Sequence, residues 1–120
     1  MSFRDDRLRL LDIVAAIGDI EKHIAGRPKS AFADDGTAID GVAYRLVIIG
    51  EAVASLPADL LAHEADIPWS EIKALRNRLV HAYFGIDLDI LWGIVTTDLM
   101  PLRSAAERLI ERSISPPKGK

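Results

Sequence analysis

Apolar residues recur every three or four positions along most of this chain, and that spacing points to helices. Leu10, Ile13, Ile17, Ile20 and Ile24 step by 3, 4, 3 and 4. Ile39, Val42, Leu46, Ile49, Val53 and Leu56 do the same. Ile72, Leu75 and Leu79 form a shorter set, and Leu88, Trp92, Val95, Leu99, Leu102, Ala106 and Leu109 a longer one. Each set draws one apolar stripe along one helix face. No segment sustains a period of two, so strands are not supported.

The punctuation between stripes agrees. Gly26 and Pro28 end the first helix. Residues 27–37, with Pro28, Ser30, Asp34, Asp35 and Gly36, read as a loop. Gly50, inside the second stripe, reads as a close-packing position. Pro57 closes the second helix, and a short helical piece is expected at 58–63. Ile67-Pro68 is extended, because a proline ring disfavours helical geometry at the residue before it. The third helix starts near Pro68-Trp69 or Ser70 and is interrupted at Gly85. Asp87 is the expected N-cap of the last helix, and Pro101 should kink or briefly break it. The expectation is an all-α, up-down bundle of four main helices plus a short extra one, kinked near Pro101. It spans residues 1–113, followed by a disordered tail at 114–120.

The 120 residues are 49% hydrophobic and 28% charged, which suits one globular core and not a disordered chain. Cysteine is absent, which removes thiol nucleophiles, disulfides and cysteine-based metal sites. The first residues are charged where a signal peptide would be apolar. No apolar run approaches the roughly 20 residues of a membrane span, so a cytoplasmic protein with no membrane partner is expected. A net charge of −3 argues against non-specific coating of nucleic acid but leaves room for a small basic site. Lys73, Arg76 and Arg78 form such a cluster, with no acid from 73 to 81.

His23, His63 and His81 lack the paired spacing of helical metal sites, so neither a metal nor another cofactor is expected. His23 suits the last turn of the first helix, where a helix dipole favours histidine, and His63 reads as solvent-facing. Trp69 and Trp92 read as core or interface anchors. No phosphate-binding glycine loop and no nucleophile elbow is present.

The segment 75–84, Leu-Arg-Asn-Arg-Leu-Val-His-Ala-Tyr-Phe, stands apart. At about 100° per residue, with Ile72 at zero, its apolar stripe centres near ~330°. Arg76 then falls near ~40°, Lys73 near ~100°, Asn77 near ~140° and His81 near ~180°. A cation, an amide and an imidazole share one broad polar face, away from the stripe. A solvated face ending in a capping histidine is the alternative. Val80 on that face, and Tyr83-Phe84 directly after His81, favour a partly buried and dimeric surface.

Arg76, four residues, His81, one residue and Tyr83 resemble the Arg-x4-His-x-Tyr motif of HepT-like toxins, within the HEPN superfamily. Ile49-Gly50-Glu51-Ala52, Ile67-Pro68-Trp69, the segment from Tyr83 through Trp92, and Asp98-Leu99-Met100-Pro101-Leu102 are similar to further family segments in the same order. The resemblance implies a helical homodimer that is a metal-independent endoribonuclease, the toxin of a type VII-like toxin–antitoxin system. It implies Arg76 and His81 as the catalytic pair, Asn77 as a supporting polar residue, and RNA as substrate. It also implies an MntA-type nucleotidyltransferase partner that neutralises the toxin by adding AMP to Tyr83.

The residue chemistry is compatible. Histidine moves protons near neutral pH, and arginine offers a fixed, permanently charged fork to a phosphorane-like transition state. Glu51 has two readings, as a residue orienting the arginine or histidine, or as an exposed helix position. The alternative function is a non-catalytic HEPN-type nucleotide-binding or protein-docking dimer, which would not need both Arg76 and His81.

Overall fold

The computed structural model describes residues 3–82 and 85–114. Tyr83 and Phe84 lie outside the described residues. So does the expected tail from 115 onward, while Ile114 ends the last helix. The elements run α1 (Phe3–Ile24), α2 (Lys29–Ala33), α3 (Gly36–Ala54), α4 (Ala58–Leu61), a 3₁₀ turn (Ala62–Glu64), α5 (Trp69–His81), α6 (Leu88–Gly93), a π-helical segment (Ile94–Asp98) and α7 (Leu99–Ile114). There is no strand among the described residues, and the chain is an all-α bundle.

The stripes become the core. Leu10, Ile13, Ile17 and Ile20 of α1 are buried against Val42, Leu46, Ile49 and Val53 of α3 and Leu99, Leu102, Ala106 and Leu109 of α7. Ion pairs close the seams on either side of α1. Arg103 donates to Glu21 at 2.8 Å, and Arg45 lies 3.4 Å from Asp19. A second close approach tightens the α1–α3 seam, where the His23 ring lies against Gly41. Helix α5 packs on α3 from the side away from α1, so the neighbours run α5, α3, α1, α7.

Most boundaries follow the local signals. Gly26, at φ 67°, takes the left-handed turn that ends α1. Asp87 caps α6, its carboxylate accepting from the Asp89 amide at 2.7 Å. The loop expected at 27–37 is a correction: it contains α2, and α3 already begins at Gly36. The reason is tertiary. Phe32 is fully buried and its ring meets Trp92 at 5.3 Å, while Pro28 and Asp35 supply the two helix starts. Near Pro101 the chain widens rather than breaks. Proline cannot donate to the carbonyl four residues back, and the turn just before α7 is wound as a π-helix over Ile94–Asp98.

Trp69 fixes where α5 starts. Its indole N–H donates to the carbonyls of Leu61 and Glu64 at 3.1 and 3.0 Å, tying α5 to the end of the preceding turn. That anchor, with Leu79 buried and Ile72 and Leu75 half-buried, sets the rotation of α5 on α3. Among the described residues no single helix is long and apolar enough to cross a membrane.

Candidate active site

With Leu79 facing the bundle, the opposite side of α5 carries Lys73, Asn77, Val80 and His81, all exposed. Arg76 sits at the margin, its side chain 21% exposed. This is the arc that the helical angles predict. The stem of Arg76 crosses α3 at Gly50. A Cβ on Gly50 would fall 2.4 Å from Arg76 Cβ and 3.0 Å from its Cγ, so the two helices approach closely here.

The guanidinium is held at two points. Its Nη1 donates to Glu51 Oε1 at 2.9 Å. Its Nε and Nη2 both donate to Asn77 Oδ1, at 3.1 and 2.8 Å. Arginine has five N–H donors, so two remain outside these three bonds. Both readings of Glu51 therefore hold together: its side chain is 62% exposed, and it orients the arginine.

His81 is placed differently. It is the last residue of α5 and exposed, with Ala82 as the C-cap. No hydrogen bond joins His81 to Arg76 or Asn77 among the described residues. The structure thus brings Arg76, Asn77 and Glu51 together and leaves His81 at the rim. His81 lies five positions after Arg76, a rise of about 7.5 Å along the axis. Tyr83 lies outside the described residues. Among the described residues no three His, Asp or Glu side chains gather as a metal-ligand set.

A separate hollow lies on another side of α5. A cleft of about 420 Å³ lies between α5 and the π-helical segment, lined by Leu46, Ile49, Ile72, Leu75 and Leu102. Its polar lining is Asp66, Glu71 and Asp98 against one cation, Arg78. An apolar trough with that excess of acid repels a phosphodiester chain. The face of α5 that carries Lys73, Asn77 and His81 is turned away from this cleft.

The model of the family described as "Ribonuclease HepT-like" matches residues 13–109, which include all of α3 and α5. The chain belongs to the HepT-like ribonuclease family. It is 37% identical over 100 residues to "Probable ribonuclease HepT" of Thermococcus cleftensis, covering 83% of this chain and 91% of that protein. It is 34% identical over 107 residues to "Putative RNase MJ1380" of Methanocaldococcus jannaschii, covering 89% and 98%. A third relative from the same organism, "Gamma-glutamylcyclotransferase and putative RNase MJ0434", is 31% identical over 90% of this chain but only 49% of its own length. No solved structure matches the chain significantly.

In a HepT-like ribonuclease the substrate class is RNA. One feature escaped the sequence. Gly50 read as a close-packing position, but that its neighbour is the stem of Arg76 depends on how α5 crosses α3. Trp69 and Trp92 are structural anchors here, one by its indole hydrogen bonds and the other by its contact with Phe32.

Proposed function

We propose that this HepT-like ribonuclease is the toxin of a type VII-like toxin–antitoxin pair, a metal-independent endoribonuclease that acts as a homodimer. The observation that carries the catalytic part is the Arg76 guanidinium. It is braced by Glu51 and Asn77, keeps donors to spare, and shares a helix with an exposed histidine.

In this reading the 2′-OH of a nucleotide attacks the adjacent phosphorus. A neutral imidazole removes the hydroxyl proton as the P–O2′ bond forms. The P–O5′ bond breaks, and an imidazolium returns a proton to the departing 5′-oxygen. The products are a 2′,3′-cyclic phosphate and a 5′-OH. Negative charge accumulates on the non-bridging oxygens in between, and Arg76 faces it with its remaining N–H groups. One chain offers a single His81, which cannot hold both protonation states at once. A two-fold dimer that juxtaposes two α5 faces supplies a second histidine. Val80, 55% exposed on the same face, suits such an apposition.

Tyr83, two residues past His81, is the proposed point of control. A phenol is in general a poor proton carrier at neutral pH. In the modification, the phenolic oxygen attacks the α-phosphorus of ATP held by an MntA-type nucleotidyltransferase. Pyrophosphate leaves, and the phenolic proton passes to solvent. In this reading the attached AMP sets negative charge against the cation meant for RNA and bulk in the way of the RNA chain.

The test is cleavage of single-stranded RNA by the purified chain in EDTA, beside co-expression with the nucleotidyltransferase. Cleavage should persist in EDTA. Intact mass should show AMP on the wild type and none on Tyr83→Phe, which should stay an active nuclease that the partner fails to silence. Strict dependence on a divalent ion would contradict the metal-independent mechanism. Full silencing of Tyr83→Phe would replace modification by simple occlusion.

A further inference from the structure

Gly50 is buried inside α3, in its last third, where glycine is a poor helix former and alanine a good one. Its backbone is ordinary right-handed helix, since Gly26 is the only glycine at positive φ among the described residues. Conformational freedom is therefore not what glycine supplies at this position. Space is. A Cβ there would meet Arg76 Cβ at 2.4 Å and Cγ at 3.0 Å, well inside contact distance, with the Ile72 carbonyl at an ordinary 3.4 Å. The obstructing atoms are the root of the Arg76 side chain, attached directly to the α5 backbone, and not a flexible tip that could swing aside.

We propose that Gly50 is a positioning residue for Arg76: the missing side chain is a notch in α3 that sets the height of the arginine stem over the site. Glu51, the next residue, catches the guanidinium at 2.9 Å. The notch and the carboxylate are adjacent in sequence, so one turn of α3 fixes both where the arginine leaves α5 and where its charge points. Filling the notch drives α5 outward at Arg76 by about 1 Å, the gap between 2.4 Å and ordinary contact. A misplacement of that size costs on the order of 10²-fold in rate when the displaced group acts in the transition state.

This inference rests on the ribonuclease reading above, so its test has one arm that does not need activity. Gly18 lies within α1 with nothing near the site of its missing Cβ, and serves as the control. In the kinetic arm, Gly50→Ala should lose about 10²-fold in kcat for RNA cleavage with KM close to the wild-type value. Gly18→Ala should cleave as the wild type does. In the stability arm, Gly50→Ala should lower the melting temperature in the wild-type background. It should not lower it when added to Arg76→Gly, which removes the two nearest obstructing atoms. If Gly50→Ala alone fails to fold, recovery of folding in the double variant supports the notch. Failure of the double variant, where Arg76→Gly by itself folds, overturns it. Equal melting losses in both backgrounds, or undiminished kcat in Gly50→Ala, also overturn the inference. A wild type that cleaves no RNA would defeat the functional reading, and the melting cycle would still decide whether Gly50 seats Arg76.

Discussion

The two halves of α5 are built to different standards. At its middle, Arg76 is wedged over Gly50, tied to Glu51 and Asn77, and largely covered. At its end, His81 is exposed on the last helical residue. The contrast matches the two chemical jobs. A cation that stabilises developing charge gains from being fixed before the reaction. A proton carrier must regain its starting protonation state by exchange with solvent between turnovers, which an exposed rim position allows. In the proposed mechanism the arginine half of the site is complete within one chain, and the histidine half is left for RNA and a second copy to complete.

That asymmetry can be broken from either side. The largest effect is expected for His81→Ala: a loss of about 10²- to 10⁴-fold in cleavage, the range for general acid–base groups. The melting temperature should not fall, because the ring is exposed. A parallel fall in melting would give His81 a packing role and undo the contrast. Next comes Arg76. Arg76→Lys should lose nearly as much as Arg76→Ala, on the order of 10²-fold, because the three N–H donors of an ammonium cannot replace the guanidinium's three bonds to Glu51 and Asn77 and also make bidentate contact with phosphate oxygens. Retention of near-normal rate by Arg76→Lys would show that only charge is needed. Glu51→Ala should cost about tenfold, equivalent to ~1.4 kcal/mol in the barrier. Glu51→Gln, which keeps an acceptor oxygen, should cost less. Equal losses in the two Glu51 variants would assign the effect to charge rather than to aim.

Smaller effects test the scaffold. Trp69→Phe removes one indole donor shared by the Leu61 and Glu64 carbonyls, and should cost about 1–2 kcal/mol of stability by thermal melting. Acid should then act through two carboxylates. Asp35 is held below the usual carboxylate range by the Ala38 amide and then by Arg27. Glu64 is held down by its hydrogen bonds from Arg108. Both bind a proton less readily folded than unfolded. Their contribution is therefore complete above the unfolded value, near ~4, and is lost as pH falls through the lower folded values. Asp35→Asn should flatten part of the melting-temperature decline below pH ~4. A decline identical to the wild type would remove Asp35 from the linkage.

Much of this was legible in the residues. The stripes on α1, α3 and α7 became the core because a period of 3.6 admits one buried face. The polar arc of α5 emerged because Leu79 and Ile72 fix its rotation. Two things were not legible. The helix α2 depends on Phe32 finding Trp92, sixty residues away in the chain. The seat of Arg76 depends on which residue of α5 passes over Gly50, a crossing that no spacing within either helix encodes. Glu51 could be read two ways for the same reason: its exposure follows from α3 alone, and its bond to Arg76 needs α5 in place.

The central claim is that the α5 face cleaves RNA through its own 2′-OH, with Arg76 and His81 and without a metal. The most direct measurement offers the purified chain one single-stranded RNA and its fully 2′-O-methylated counterpart, in EDTA, with product ends resolved by mass. The first should be cleaved into fragments ending in a 2′,3′-cyclic phosphate, and the second should not be cleaved. Cleavage of both, or fragments bearing 5′-phosphates, would contradict it.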